Sequence, residues 1–553
     1  MEEASRLNKL LGAQPKDAAL SRTYLFVAFA ALLLGGIMGL LQATERAGLF
    51  EMPSWFTYYQ ALTTHGIVLV VVLTAFFTIG YFYAALSHTL GGLLPKVRKM
   101  AWIGFALKII GFVFVVIPVV MNKATVMYTF YPPMKASPYF YIGLVFIVLG
   151  VWMCAFGAFV QVATWRKNNR GQHLPILSFF ATGVFVLLFF GSLGVTVEVL
   201  TLIPWAFGWT KTVNVMVSRT LFWSFGHTLV NIWYLTAVSA WYVVVPKVIG
   251  GRRFSDVLTR FVIIALVITN IPGGFHHQII DPGMSQSLKF MHVFMSLVIG
   301  IPSMMTAYAM FSVFERRGRE LGGKGLLGWF KKMPWGDVRF LAPFIAMVAF
   351  IPGGAGGIVQ TTNQLNQVVH NTLWVVGHFH LTVGTSVILT FFGISYWLIP
   401  FVSKRVLTPR INKLGVIQTI FWTIGMLIMT VSMHISGLLG APRRTSYTTY
   451  GDHAVAASWD PYTILVVIGA AFLLVGGALQ LYAAYYLMFR APKGHTEFPL
   501  AEAEENASAT PYWTERWGRT IIVMLLLVAM AYVAPLVNFI ANAPPGSPPF
   551  VTW

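Results

Sequence analysis

The sequence predicts an all-α integral membrane protein of about thirteen transmembrane helices, and three observations lead there. Of its 553 residues, 57% are hydrophobic and only 10% charged, against about a quarter charged in soluble domains. Apolar stretches long enough to cross a hydrocarbon core of about 30 Å recur along the whole chain. The 38 Lys and Arg, set against 18 Asp and Glu, crowd alternate loops, as the positive-inside rule asks of cytoplasmic segments.

The predicted spans fall near 22–42, 63–87, 101–121, 139–165, 174–203, 217–246, 261–280, 290–314, 338–361, 370–402, 414–439, 461–489 and 518–542. Each reads as a helix, because in lipid a lone segment must satisfy its own backbone polar groups. Basic loops follow the even-numbered spans, among them Lys96/Arg98/Lys99, Arg166/Lys167/Arg170, Arg252/Arg253, Arg316/Arg317/Arg319 and Lys404/Arg405. That pattern puts the N-terminus in the cytoplasm and the uncharged C-terminal tail outside.

Residues 1–21 are expected to be a cytoplasmic tail, 22–542 a single transmembrane catalytic domain, and 543–553 an external tail. The first 20 residues lack an apolar core, so no cleavable signal is expected. The absence of a 20–50-residue repeat argues against a solenoid. The +20 charge is a topology signal, so the expected surroundings are membrane lipid and not nucleic acid. A single cysteine, Cys154, excludes disulfides and multi-thiolate metal sites within the chain.

Six of the thirteen histidines share one depth. His65 opens the second span, His227 lies a few turns into the sixth, His276 and His277 end the seventh, and His378 and His380 come early in the tenth. With alternating span directions, all six sit toward the outer side. The other seven (His88, His173, His292, His370, His434, His453, His495) fall mostly in loops or near span ends. A single buried histidine is commonly a hydrogen-bonded structural residue, whereas six at one depth on four helices point to function. His378 and His380 project about 200° apart on a helix and therefore serve two centres, one on each flank. His276 and His277 are too close to share one straight helical face, but beside Pro272-Gly273-Gly274 the backbone can splay both onto one ion. His227 would complete a three-histidine site with open positions, suited to Cu or Fe.

These histidines and their spacing resemble subunit I of the haem-copper oxidase superfamily over essentially all thirteen spans. Tyr128-Thr129-Phe130-Tyr131-Pro132-Pro133, His276-His277-Gln278 with Asp281-Pro282-Gly283, Ile351-Pro352-Gly353-Gly354-Ala355-Gly356-Gly357 and Ala441-Pro442-Arg443-Arg444 look like its B family. The resemblance implies that His65 and His380 are axial ligands of a six-coordinate low-spin haem, and that His378 is the proximal ligand of a five-coordinate high-spin haem. His227, His276 and His277 would hold the second metal, CuB in the oxidases or iron. Arg443 and Arg444 would pair with haem propionates. It further implies a subunit II carrying CuA, an external donor such as cytochrome c or a quinol, a small gaseous substrate, and a multi-pass place in the inner membrane of a prokaryote.

Polar residues at lower depth match the B-family proton channel: Ser303 and Thr306 on the eighth span and Tyr242 on the sixth. Read singly, each is more simply a back-bonded or interfacial residue. Glu198, deep in the fifth span, reads as a proton relay or a structural group.

The chain departs from the family at position 231. Oxygen-reducing members place there a tyrosine, cross-linked to a second-metal ligand, that supplies an electron and a proton for O–O cleavage; here it is Asn231. Thr228 replaces the family's usual proline, Val238 a channel tyrosine, and Asn366 the carboxylate near the propionates. Tyr234 lies seven residues beyond His227, about 10 Å along the helix, too far for the same cross-link. Nitric oxide reductases dispense with the tyrosine because no O–O bond is broken, although their cytochrome c-dependent type has a glutamate at this position. The expected activity is therefore reduction of NO to N2O, with proton-translocating reduction of O2 to water as the alternative.

Overall fold

A computed structural model of the protein describes residues 14–504, 510–542, 546 and 549–550. Among them thirteen helices are long and apolar enough to cross a membrane, and no strand longer than an isolated bridge occurs. They are α1 (Pro15–Arg46), α2 (Tyr58–Thr89), α3 (Pro95–Val120), α4 (Pro138–Asn168), α5 (Ile176–Phe207), α6 (Val215–Val248), α7 (Asp256–Gln278), α8 (Gln286–Glu320), α9 (Val338–Thr361), α10 (Leu373–Ser403), α11 (Pro409–Leu438), α12 (Ala454–Arg490) and α13 (Trp517–Ala541).

The first helix starts well before the expected residue 22. Pro15 occupies its first turn, where a missing N–H costs nothing. Asp17 is buried there and accepts from Arg98 Nε (2.5 Å), Ser87 Oγ (2.7 Å) and the Leu93 amide (2.9 Å). This carboxylate fastens the helix start to the α2–α3 turn, so the expected tail of 1–21 is shorter; residues 1–13 lie outside the described residues. Most of the predicted 543–553 tail does too, but Phe550 exchanges backbone hydrogen bonds with Pro133 (2.7 Å) and Lys135 (2.9 Å).

Burial separates inner helices from outer ones. The apolar windows of α10, α6 and α2 are 94%, 89% and 83% buried, against 28% for α12 and α13. The most enclosed helices are those carrying His378/His380, His227 and His65. Each histidine-bearing stretch on α2, α7 and α10 also adjoins irregular helix. A π segment spans Val68–Leu73 in α2, another spans His380–Val387 in α10, and α7 ends in a 3-10 turn, Ile271–Gln278. Widened turns free carbonyls, and the Trp422 indole donates to one of them, Gly384 O, at 2.9 Å.

An ion network fixes the far end of α7. Arg260, 3% exposed, donates to Asp256 Oδ2 (2.7 Å), Glu515 Oε1 (2.5 Å) and Leu174 O (2.8 Å), and Arg166 pairs with Glu515. Removing one partner of a buried ion pair strands the other charge, at a cost of about 3 kcal/mol. Glu515→Ala is therefore expected to lose about that much stability in a thermal melt of the solubilised protein, and Glu515→Gln less; an unchanged melt would refute the clamp.

Candidate metal centre

His65 on α2 and His380 on α10 face each other with nearly parallel rings, centroids 6.3 Å apart at 10°. Two metal–nitrogen bonds of about 2.0–2.1 Å, with about 1.1 Å from each nitrogen to its ring centre, span roughly 6.3 Å. The pair is therefore spaced for one six-coordinate ion between them. His65 Nδ1 donates to Gly35 O and His380 Nδ1 to Val376 O, both at 2.8 Å. Each carbonyl fixes the tautomer and leaves Nε2 free as ligand. A Cβ at Gly39 would lie 2.6 Å from His65 Nδ1, so only glycine lets α1 pass this imidazole.

His227, His276 and His277 form the one potential three-ligand cluster among the described residues, their ligand atoms all within 4.8 Å of one another. The 3-10 turn that ends α7, opened by Ile271-Pro272, brings the two consecutive histidines to one side. His276 Nδ1 faces Gly273 O (2.9 Å) and Ser296 Oγ of α8 (3.1 Å), which directs Nε2 inward. The His277 ring stacks on Trp223 at 3.8 Å, and its buried Nε2 has no partner. Asn231 Nδ2 sits 3.1 Å from His227 Nε2 and donates to His227 O at 3.0 Å. No tyrosine hydroxyl bonds to any of the three imidazoles among the described residues.

His378 points to the other flank of α10 from His380, its ring stacked on Trp374 at 5.9 Å. A Cβ at Gly356 would come 2.5 Å from its Nδ1, so α9 also needs glycine where it crosses. All six histidines, with Arg443, Arg444 and Asn231, line one cavity of about 860 Å³ whose other walls are mainly apolar. Arg443 donates to Asn371 Oδ1 (2.8 Å), but its Nε and Arg444 Nη2 are buried without partners. Burial, with Arg444 alongside, lowers the Arg443 guanidinium to about 10. Two adjacent cations with unused donors are seats for anionic groups. The donor set thus fits two haems, their propionates and one further metal.

His370 and Arg219, which the sequence did not assign to the site, join Asn366 and Asp281 beside it. Asn366 Nδ2 donates to Gln360 O (2.6 Å) and to His276 O (3.2 Å), while its Oδ1 faces His370 Nδ1 at 3.2 Å. His370 Nε2 approaches Asp281 at 3.8 Å, and Asp281 pairs with Arg219 at 2.9 Å. Burial, then Arg443, Arg219 and Arg444, lower His370 to about 4, so it is a neutral imidazole near pH 7. Burial raises Asp281 despite Arg219. The i, i+4 spacing of Asn366 and His370 could have suggested their contact. His292, grouped by sequence with loop and span-end histidines, lies inside α8, fully buried against Phe275 at 4.3 Å.

The lower-depth residues divide. Ser303 and Thr306 do back-bond, to Ile299 O (3.0 Å) and Pro302 O (2.8 Å), and Tyr242 donates to Thr306 Oγ1 at 3.4 Å. Ser303 lines the cavity. Glu198 instead accepts from Ser218 Oγ at 2.6 Å, and its neighbours Val195 and Val199 reach the cavity wall while it does not.

His276→Asn is expected to abolish non-haem metal at the three-histidine site while leaving both haems, read by metal analysis with haem extraction. His65→Asn is expected to remove one haem and leave the second metal. Retention of the full complement in either variant would contradict the assignment.

Residues 19–473 match the family model described as Cytochrome C and Quinol oxidase polypeptide I. The chain is 35% identical over 556 residues to Cytochrome c oxidase subunit 1 of Thermus thermophilus, covering 98% of each. It is 23% identical over 489 residues to the Probable cytochrome c oxidase subunit 1 of Bradyrhizobium diazoefficiens, covering 83% of this chain and 68% of that one. Its fold superposes on a chain from a cryo-EM structure of a heme-copper terminal oxidase dimer with TM-score 0.91 and 30% identity, over 97% of this chain and 95% of that one. The all-helical fold, the histidine site and these matches agree: the chain belongs to the Cytochrome C and Quinol oxidase polypeptide I family, the subunit I of haem-copper oxidases.

Proposed function

We propose that this subunit is the catalytic chain of a B-family membrane terminal reductase that converts two NO, two electrons and two protons to N2O and water. The observation that carries this reading is Asn231, whose amide nitrogen lies 3.1 Å from His227 Nε2, where a phenol would be needed to supply an electron and a proton for O–O cleavage. An amide supplies neither. NO reduction needs only two electrons and forms an N–N bond, so it has no use for that phenol.

When bound, the two haems and the second metal, copper favoured, supply electron storage and a place for two gas molecules; the protein supplies geometry and protons. His65 and His380 hold the low-spin haem, His378 the high-spin haem, and His227, His276 and His277 the second metal. Arg443 and Arg444 neutralise propionates, and Asn231 fixes the His227 ring. Protons travel from the Lys/Arg-rich side by way of Tyr242, Thr306 and Ser303. Glu198, hydrogen-bonded to Ser218 and off the cavity wall, is a structural carboxyl. A subunit II carrying CuA receives electrons from an external donor such as cytochrome c or a quinol. The setting is the inner membrane of a prokaryote, with the N-terminus cytoplasmic, the C-terminus outside and 22–542 as one catalytic domain.

A second reading, reduction of O2 to water with proton translocation, is favoured by the names of the relatives, which are cytochrome c oxidases. Turnover of the purified complex separates the two. We expect N2O formation from NO with two electrons consumed per N2O; robust four-electron O2 consumption with negligible N2O would overturn the proposal in favour of the second reading.

A further inference from the structure

On α6, Val238 lies one turn from Tyr242 toward His227 and is fully buried and apolar. One turn nearer the metal site, Tyr234 supplies a hydroxyl instead. It faces the Ser303 and Thr306 hydroxyls, and the residue lines the cavity together with Asn231 and Ser303. Its ring is clamped, stacked on Phe350 at 4.3 Å and 8° and edge-on to Trp241 at 5.8 Å.

Tyr242 donates to Thr306 Oγ1 at 3.4 Å, so Thr306 has one phenol bonded to it and a second, Tyr234, nearby. The Ser303 and Thr306 hydroxyls donate back to Ile299 O and Pro302 O, which leaves their oxygen lone pairs to accept from the phenols. To pass a proton on, Thr306 accepts from Tyr242 and turns its own O–H from Pro302 O to the Tyr234 oxygen, both roles being open to a rotating hydroxyl. Beyond Tyr234 toward His227, the next polar side chain on this face of α6 is Asn231.

We propose that Tyr234 is the last proton carrier before the gas-binding cavity, terminating a single file that runs Tyr242, Thr306, Tyr234. This rests on the reading that protons enter by way of Tyr242. Each pass moves one proton and no electron: the Tyr234 hydroxyl proton goes to water or reduced substrate in the cavity, and the phenol is restored by a proton relayed from Tyr242 through Thr306. The missing tyrosine of position 238 is thus replaced by one placed a turn earlier.

The test is the rate of proton uptake during single turnover of the reduced holoenzyme, with whichever gas the parent reduces. Tyr234→Phe keeps the ring packing, so haem spectra and CO binding should match the parent while the proton-coupled phase slows by about tenfold to a hundredfold. Tyr234→His, which retains a proton-carrying ring, should recover much of that loss with a pH profile displaced toward neutrality. Tyr242→Phe should slow the same phase, and the Tyr234→Phe/Tyr242→Phe double variant should be no slower than the slower single, because steps in one file are not additive. Parental rates in Tyr234→Phe, failure of Tyr234→His to recover, or multiplied losses in the double variant would overturn the proposal. If the parent reduces O2 and forms no N2O, the substrate reading falls, and the same comparison with O2 still decides the role of Tyr234.

Discussion

The structure depends on keeping six imidazoles aimed and apart inside an apolar bundle. An unpaired polar group buried there costs several kcal/mol, so the rings are held by what the helices can spare. His65 and His380 give their Nδ1 protons to carbonyls at 2.8 Å, and His276 gives its own to the Gly273 carbonyl or Ser296. Of these acceptors, Gly273 O belongs to the 3-10 turn that carries His276 and His277, while Gly35 O and Val376 O lie in regular helix beside the π segments. Close passage of α1 and α9 then demands glycine at Gly39 and Gly356. The need to orient these imidazoles accounts for the glycines at the tightest contacts around the cavity.

Much of this was legible in the sequence, because it depends on hydrophobic length and on charge placement. The thirteen spans stand out since each must bury about twenty apolar residues, and the six site histidines stand out since titratable groups at that depth are costly. Helix ends were less legible. The start of α1 at Pro15 is set by Asp17, whose partners Arg98, Ser87 and Leu93 lie about seventy to eighty residues away. Spacing on one helix could separate His378 from His380, but it could not reveal the Asn366–His370–Asp281–Arg219 set, which joins three segments. Nor could it place Tyr234, whose use depends on α8 turning Ser303 and Thr306 toward it. Depth alone leaves Glu198 as a relay or a structural group; its bond to Ser218 and its place behind Val195 and Val199 are visible only in the fold.

Family membership and the identity of residue 231 answer different questions. A chain 35% identical to a cytochrome c oxidase subunit over 98% of both lengths belongs to the same family. The reaction run on the histidine framework depends on one side chain beside His227. Where the family pattern has a phenol, this chain has an amide that bonds to His227 at two atoms. The proposed NO reduction rests on that amide, whereas the relatives' names point to oxygen reduction.

With Asn231 where a phenol would stand, no tyrosine is joined to His227, His276 or His277. Peptide mapping by mass spectrometry of the purified, turned-over complex tests it most directly. The account predicts that the fragments holding His227, His276 and His277 run at their unmodified masses. A linked species joining any of these histidines to a tyrosine, lighter by the hydrogens lost in forming the bond, would contradict it.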